Sequence, residues 1–260
     1  MGASLAAACS GERLWCSEGR SPATRARAET ADLVDVGSLD ALVRRAEVIV
    51  SVCPPASADG VAGSVAALGY DGIYVDVNAV APATSRKIGT RFTRYVDGGV
   101  VGPPAKAAGT TRLYLAGPEA ARIAELWTGS VVDARVVEGD AGAASAVKVC
   151  FAAWTKGTAA LLLAVRALAR AEGVEPALLA EWAMSQPDLE LQSRRAASNN
   201  AAKAWRFAGE LDEIADSFAA CGLPDGFGRA ASDVYERLGR FRDIPDVTLD
   251  AVLAALTDSS

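Results

Sequence analysis

Residues 47–79, "EVIVSVCPPASADGVAGSVAALGYDGIYVDVNA", decide the fold class. The opening "EVIVSVC" is an apolar run closed by Pro54–Pro55, and proline does not continue a central strand. "SADGVAGSVAALG" has helical character, and "GIYVDVNA" is a second apolar run. A strand, a helix and a second strand of this kind make parallel strands buried on both faces. In such sheets ligands sit at the carboxyl ends of strands. That singles out Cys53, Pro54 and Asn78 as cofactor-binding candidates. Each is also an ordinary βα-turn residue, since Asn and Pro are common there.

The alternation continues in both directions. "PATSRKIG" opens a helix at Pro82, and "RYVDGGVV" and "RLYLAG" are further strands. On the amino-terminal side, "SLDALVRRA" is a short helix capped by Ser38. "RLWCSE" is a short strand, followed by a helix with Ser21 as cap and Pro22 as first residue. Met1 to Ser10 is helical and ends at Gly11. Residues 1–138 are thus expected to form a Rossmann-type, doubly wound α/β domain with a parallel sheet.

A dinucleotide-binding unit runs strand, G-x-G-x-x-G turn, helix, strand, then a residue that reads the ribose. Here a helix and a strand follow in that order, and Gly2 stands where the last glycine permits close helix–strand packing. The first strand and first two glycines are absent, so the expectation is a chain truncated inside the motif. At the end of the ribose-reading strand, an acid takes the 2′-hydroxyl of NAD, whereas an Arg accommodates the 2′-phosphate of NADP. Arg20, with Ser21 beside it, fits NADP; Glu18 is the competing signal.

Composition narrows the function classes. The 260 residues are 51% hydrophobic with a net charge of −6, against a nucleic-acid-binding surface, which is normally basic. No run of about eighteen apolar residues predicts a membrane span. Five cysteines (Cys9, Cys16, Cys53, Cys150 and Cys221) stand singly, arguing against zinc or a disulfide framework and for a reducing cytoplasm. There is no histidine, which removes a His base, a Ser-His-Asp triad and a His-ligated metal.

From Asp140 the texture changes. "GDAGAASAVKVCFAAWTKGTAALLLAVRALARAEG" is one long Ala-rich helix, apolar on nearly all sides and ended by Gly173. "EPALLAEWAMS", "ASNNAAKAWRFAGELDEIADSFAACG", "FGRAASDVYERLGRF" and "TLDAVLAAL" follow as helices. Residues 139–260 are expected to be all-helical. The long helix is too apolar for its own domain to cover, which predicts a homodimer through this half.

In this order, "VDVNAVAP", "YVDGGVVGPPAKAAGTTRLYLAG", "GAASAVKVCFAAWTKG" and "RFAGELDEIADSFAACGLPDGF" resemble the superfamily of 6-phosphogluconate and β-hydroxyacid dehydrogenases, which includes the imine reductases. The resemblance runs over nearly the whole chain. It implies a nicotinamide cofactor, no metal, helices interlocked between two subunits, and a small-molecule substrate. It places the catalytic lysine on Lys148 and the substrate loop on Asp97, Gly98, Gly99, Val101 and Gly102. Two departures stand out: Ala152 replaces the family's Asn one turn after the lysine, and Val101 replaces its Ser.

Hydride transfer needs a group that exchanges the alcohol or imine proton. Lys148 suits that role if burial lowers its pKa; otherwise it is a solvated surface lysine. Thr155 returns to nearly the same helix face, and Lys156 is turned further round; both are candidate substrate contacts. Glu210 and Glu213 share a helix face and read as surface acids or as site residues. Three functions fit: an NADP-dependent dehydrogenase acting on a small hydroxyacid or carbonyl, an imine reductase, and a non-catalytic dimeric binding module.

Overall fold

The apolar runs become the strands of a five-stranded and a two-stranded sheet in a computed structural model that describes residues 1–258. Helix α1 (Gly2–Ala8) leads into β1 (Leu14–Trp15), α2 (Pro22–Thr30) and β2 (Val34–Asp35). Then come α3 (Leu39–Arg45), β3 (Val48–Ser51), α4 (Pro55–Ala67), β4 (Ile73–Asp76), α5 (Pro82–Gly89) and β5 (Tyr95–Val101). β6 (Thr111–Ala116), α6 (Ala120–Ala124) and β7 (Val132–Val136) complete this part. The caps are those the sequence names: the Ser21 and Ser38 hydroxyls accept the N–H groups of Thr24 and Ala41.

β1 and β2 pair with each other in parallel, and a five-stranded sheet runs β3-β4-β5-β6-β7. β3, β4 and β5 are parallel, as are β6 and β7, but β5 and β6 are antiparallel. The sheet is thus mainly parallel, as expected, with one antiparallel pair. A parallel return needs a crossover of about a dozen residues or more, and residues 102–110 are too few. Gly102 makes the turn with φ +117°; a Cβ there would lie 2.1 Å from the Thr110 carbonyl oxygen, so only glycine fits.

Both faces of the sheet are covered, as doubly wound sheets require. On one face Ile73, Val75, Val96 and Val100 pack with Leu5 of α1 and with Ile123 and Trp127. The Trp127 indole N–H donates to the Leu5 carbonyl. On the other, Ile49, Tyr74 and Tyr95 pack with Ala58, Ala62 and Val65 of α4 and Ile88 of α5.

The chain divides into two compact units, Met1–Val149 and the residues from Cys150 onward. The first two turns of α7 (Ala143–Ala171) fall in the first unit, so residues 139–149 lie with the sheet. The second unit holds the rest of α7 with α8 (Glu175–Ser185), α9 (Leu189–Asn200), α10 (Ala204–Ala220), α11 (Gly226–Arg237) and α12 (Leu249–Thr257). Its core includes Leu163, Leu211, Ile214, Tyr235, Leu238 and Leu253. The expected single helix over 197–222 breaks into α9 and α10 at a 3-10 turn, Ala201–Lys203. Asn199 and Asn200 are poor helix formers, and the Asn200 amide is turned to the Tyr235 hydroxyl. Although the sequence lacks an unbroken apolar run, α7 is long and apolar enough to cross a membrane by length and composition alone.

Candidate active site

A polar network closes the carboxyl ends of β3 and β4. The Asn78 N–H donates to Asp76 Oδ1 at 2.8 Å, and Asn78 Nδ2 donates to Ser51 Oγ at 3.0 Å. Asn78 Oδ1 in turn accepts the Cys53 N–H at 2.6 Å. Asn78, expected against the cofactor, is thus buried and spends its amide fastening the two strand ends. Cys53 is half-buried, its thiol pushed up by burial, and Pro54 follows as the cap residue of α4. Asp76 is fully buried, and its Oδ2 has no hydrogen-bond partner among the described residues. Burial pushes its carboxyl up to about 6, opposed by the Asn78 N–H and reinforced by the neighbouring charge of Asp97.

Two arginines and two acids stand in and around the loop after β1. Arg20 is exposed, with Ser21 behind it capping α2. Arg25, which the sequence reading passed over, turns its guanidinium back to the Ser17 carbonyl at 2.9 Å. The competing acid is committed elsewhere: Glu18 accepts the Leu39 N–H at the start of α3. Asp35, at the end of β2, accepts the N–H groups of Ser17 and Gly37, and these bonds hold its carboxyl below the usual range. Gly2 packs near β3, but an added Cβ would meet Val52 Cβ at 3.4 Å, an ordinary contact, so this position does not demand glycine.

β5 brings the substrate-loop candidates together with the start of α7. Asp97 is fully buried: Oδ2 accepts the N–H groups of Gly142 (3.0 Å) and Ser145 (2.9 Å). Oδ1 accepts the hydroxyls of Ser145 (2.5 Å) and Ser85 (2.7 Å). The Ser85 oxygen lies 2.8 Å from the Tyr95 hydroxyl; since Ser85 donates to Asp97, Tyr95 donates to Ser85. Asp97 therefore faces the protein, which corrects its expected contact with a substrate.

Gly98 and Gly99 are buried in the ladder opposite Leu115 and Tyr114, so their N–H groups are not an open anion cradle. A methyl built on Gly99 would stand 2.8 Å from the Ala144 carbonyl oxygen and 3.0 Å from Lys148 Cβ. Lys148, on the second turn of α7, thus packs directly on β5. Val101 is buried, and Gly102 alone of this stretch is exposed.

In the helical unit, Lys156 pairs with Glu210, both largely buried, and its ammonium lies 4.6 Å from the Phe207 ring centre. Its carbonyl accepts the Tyr235 hydroxyl at 3.2 Å. Lys156, expected at the substrate, thus has its charge matched within its own unit. Thr155 bonds back to the Phe151 carbonyl and is exposed. Sequence reasoning missed Ser51, Asp76, Ser85 and Ser145. The signal for the first two was there: a polar residue ends each otherwise apolar strand.

Residues 169–238 match the family described as "Domain of unknown function (DUF1932)". An uncharacterised 28.5 kDa protein in the 7S RNA 5′ region of Methanothermus fervidus is 30% identical over 166 residues. The match covers 63% of this chain and 64% of that relative. A conserved protein of unknown function, described as structurally similar to 3-hydroxyacid dehydrogenases, superposes with TM-score 0.71 at 24% identity, over 92% of this chain and 93% of the other. The 3-hydroxyisobutyrate dehydrogenase of Mycobacterium tuberculosis, solved with L-serine, gives 0.70 at 18% identity over 99% and 96%. An imine reductase from Myxococcus stipitatus, solved with NAD+, gives 0.55 at 17% over 99% and 96%. The chain has the fold of the 3-hydroxyacid dehydrogenases and imine reductases, the superfamily its sequence resembles.

Proposed function

We propose that this protein is an NADP-dependent oxidoreductase that moves a hydride to or from a small hydroxyacid, carbonyl or related substrate, with Lys148 as its acid and base. One observation carries the reading: a lysine on the second turn of α7 packs against Gly99, one strand from the closed ends of β3 and β4. Ligands of such sheets collect at those ends. The dehydrogenase and reductase neighbours support a nicotinamide cofactor.

The residues present suit a phosphate-bearing cofactor. Arg20 is exposed in the loop after β1, and Arg25 turns to the Ser17 carbonyl in the same loop, while Glu18 and Asp35 each give one oxygen to backbone N–H groups. A bound nicotinamide supplies the hydride. The chain supplies the proton at Lys148 Nζ, and its strand-end loops at Cys53–Pro54 and Gly102 border the cofactor. A second reading, imine reduction, is favoured by buried Val101, which replaces a polar position that would hold a hydroxyacid.

The assembly proposed is a homodimer through the helical unit, because Phe151, Trp154, Leu161 and Leu168 leave an apolar stripe of α7 exposed. All five cysteines are unbridged, which supports a reducing cytoplasm.

The test measures turnover with NADPH against a panel of 3-hydroxyacids, their oxo forms and cyclic imines. Proton transfer by a positioned group supplies about 10² to 10⁴ in rate, so Lys148→Ala should lose that much while NADPH still quenches tryptophan fluorescence. Turnover within a few-fold of the parent would assign the proton elsewhere.

A further inference from the structure

We infer that Asp97 is a positioning residue: by gripping the first turn of α7 it sets where Lys148 stands over β5. The inference rests on the reading of Lys148 as the acid and base. The geometry itself is independent of that reading.

A helix begins with backbone N–H groups that have no partner inside the helix. At the start of α7 the N–H groups of Gly142, just before the helix, and of Ser145 in its first turn are taken not by a local cap but by Asp97 Oδ2, from a strand distant in sequence. Asp97 Oδ1 takes the Ser145 hydroxyl as well. Three bonds to one carboxylate fix both the axial position and the rotation of the first turn. Ser85 of α5 donates to Oδ1 of the same carboxylate, and Tyr95 donates to Ser85. The carboxylate is therefore anchored before it anchors the helix.

Lys148 follows Ser145 by three residues and so lies on the same helix face. Asp97 and Gly99 are two apart on β5 and share a face of the sheet. The two residues act together: Gly99 lets the helix backbone come within contact of the strand, and Asp97 stops it from rotating there. With the rotation fixed, the Lys148 Cα–Cβ bond has one direction. Catalytic groups are sensitive to such placement, a shift of about 1 Å costing as much as about 10²-fold in rate.

The chain has five lysines, and Lys87, Lys106 and Lys203 serve as internal standards. The folded protein is treated with a limiting amount of the acetylating reagent N-acetoxysuccinimide across a range of pH, and each lysine's labelling is read by peptide mass spectrometry. In Asp97→Asn, an amide NH₂ faces donors where a carboxylate oxygen accepted them, so labelling of Lys148 relative to the three standards should change several-fold. A merely structural role would lower stability and leave the ratios alone. Unchanged ratios in a variant whose circular dichroism is native would overturn the inference. Ser145→Ala, which removes only the hydroxyl, gives a milder change in the same direction and serves where Asp97→Asn does not fold.

Turnover separates the two readings. If Asp97 acts through Lys148, Asp97→Asn costs about 10²-fold in the parent and nothing further in a Lys148→Met background. A labelling change with full activity in Lys148→Met would keep Asp97 as the positioner and discard the proton role. Equal losses in both backgrounds would overturn the positioning inference.

Discussion

Asn78 and Cys53 are joined by a 2.6 Å bond from the Cys53 N–H to the Asn78 side-chain oxygen, so one buried amide ties the end of β3 to the end of β4. Asn78→Ala leaves that N–H and the Ser51 hydroxyl without their partners. Stranding a buried donor costs about 1–3 kcal/mol. The urea midpoint should fall accordingly with the denaturant slope unchanged, and NADPH affinity should fall with it as the Cys53–Pro54 loop loosens.

Asp76 makes stability depend on pH. Its carboxyl is raised by burial to about 6, above its ordinary value of 3.8, so the folded state favours the protonated form. Its contribution is then most favourable below the unfolded value and is lost as pH rises from about 4 through about 6. The groups facing it include Asp97 and Tyr95 on β5, Asn78 at its own strand end, Tyr74 on its own strand and the Cys53 thiol. Asp76→Asn should flatten this part of the curve and leave stability at pH 8 equal to the parent or higher. Urea titrations at several pH values measure it; an unchanged curve would assign the dependence to other groups.

Arg20 bears on cofactor choice. Hydrogen bonds to a charged partner contribute about 1.5–3 kcal/mol, so Arg20→Ala should weaken NADPH roughly ten- to hundredfold and NADH little. Added salt should shrink the difference because Arg20 is exposed. Parallel fluorescence titrations with the two cofactors check it. Retained preference for NADPH would sink the assignment.

The stripe on α7 is the test of assembly. Trp154 is 73% exposed, Leu161 65% and Leu168 62%, an unusual cost in water for so much apolar surface. Light scattering at micromolar concentration should give twice the 26.7 kDa chain mass. Trp154→Arg combined with Leu161→Glu should give the monomer. A monomeric parent would contradict the dimer, and cosedimentation with lipid vesicles would point to a membrane instead.

Much of the fold was legible because strand patterns and caps are local. "EVIVSVC" and "GIYVDVNA" became β3 and β4, and Ser21 and Ser38 cap the helices they were expected to start. What stayed hidden depended on pairing at long range. The reversal of β6 lies in how a short loop returns, and β2 is two exposed residues without a pattern. The site was less legible for the same reason. The resemblance sets Asp97 in a substrate loop and the helix turn makes Lys156 a candidate contact, but whether a charge faces a ligand or the protein depends on partners such as Ser145 and Glu210. Nothing in one sequence pairs those positions.

The carboxylate of Asp97 draws its donors from α5 and α7, so residues 85, 97 and 145 hold one another's identity. In a diverging lineage such a trio changes by its weakest member first. Loss of the Ser85 or Ser145 hydroxyl leaves the acid still held by two backbone N–H groups, whereas loss of the acid strands every donor at once. Homologues should therefore exchange the two serines freely for small residues while Asp97 persists, and a chain that has lost Asp97 should have rebuilt the start of α7 with a local cap.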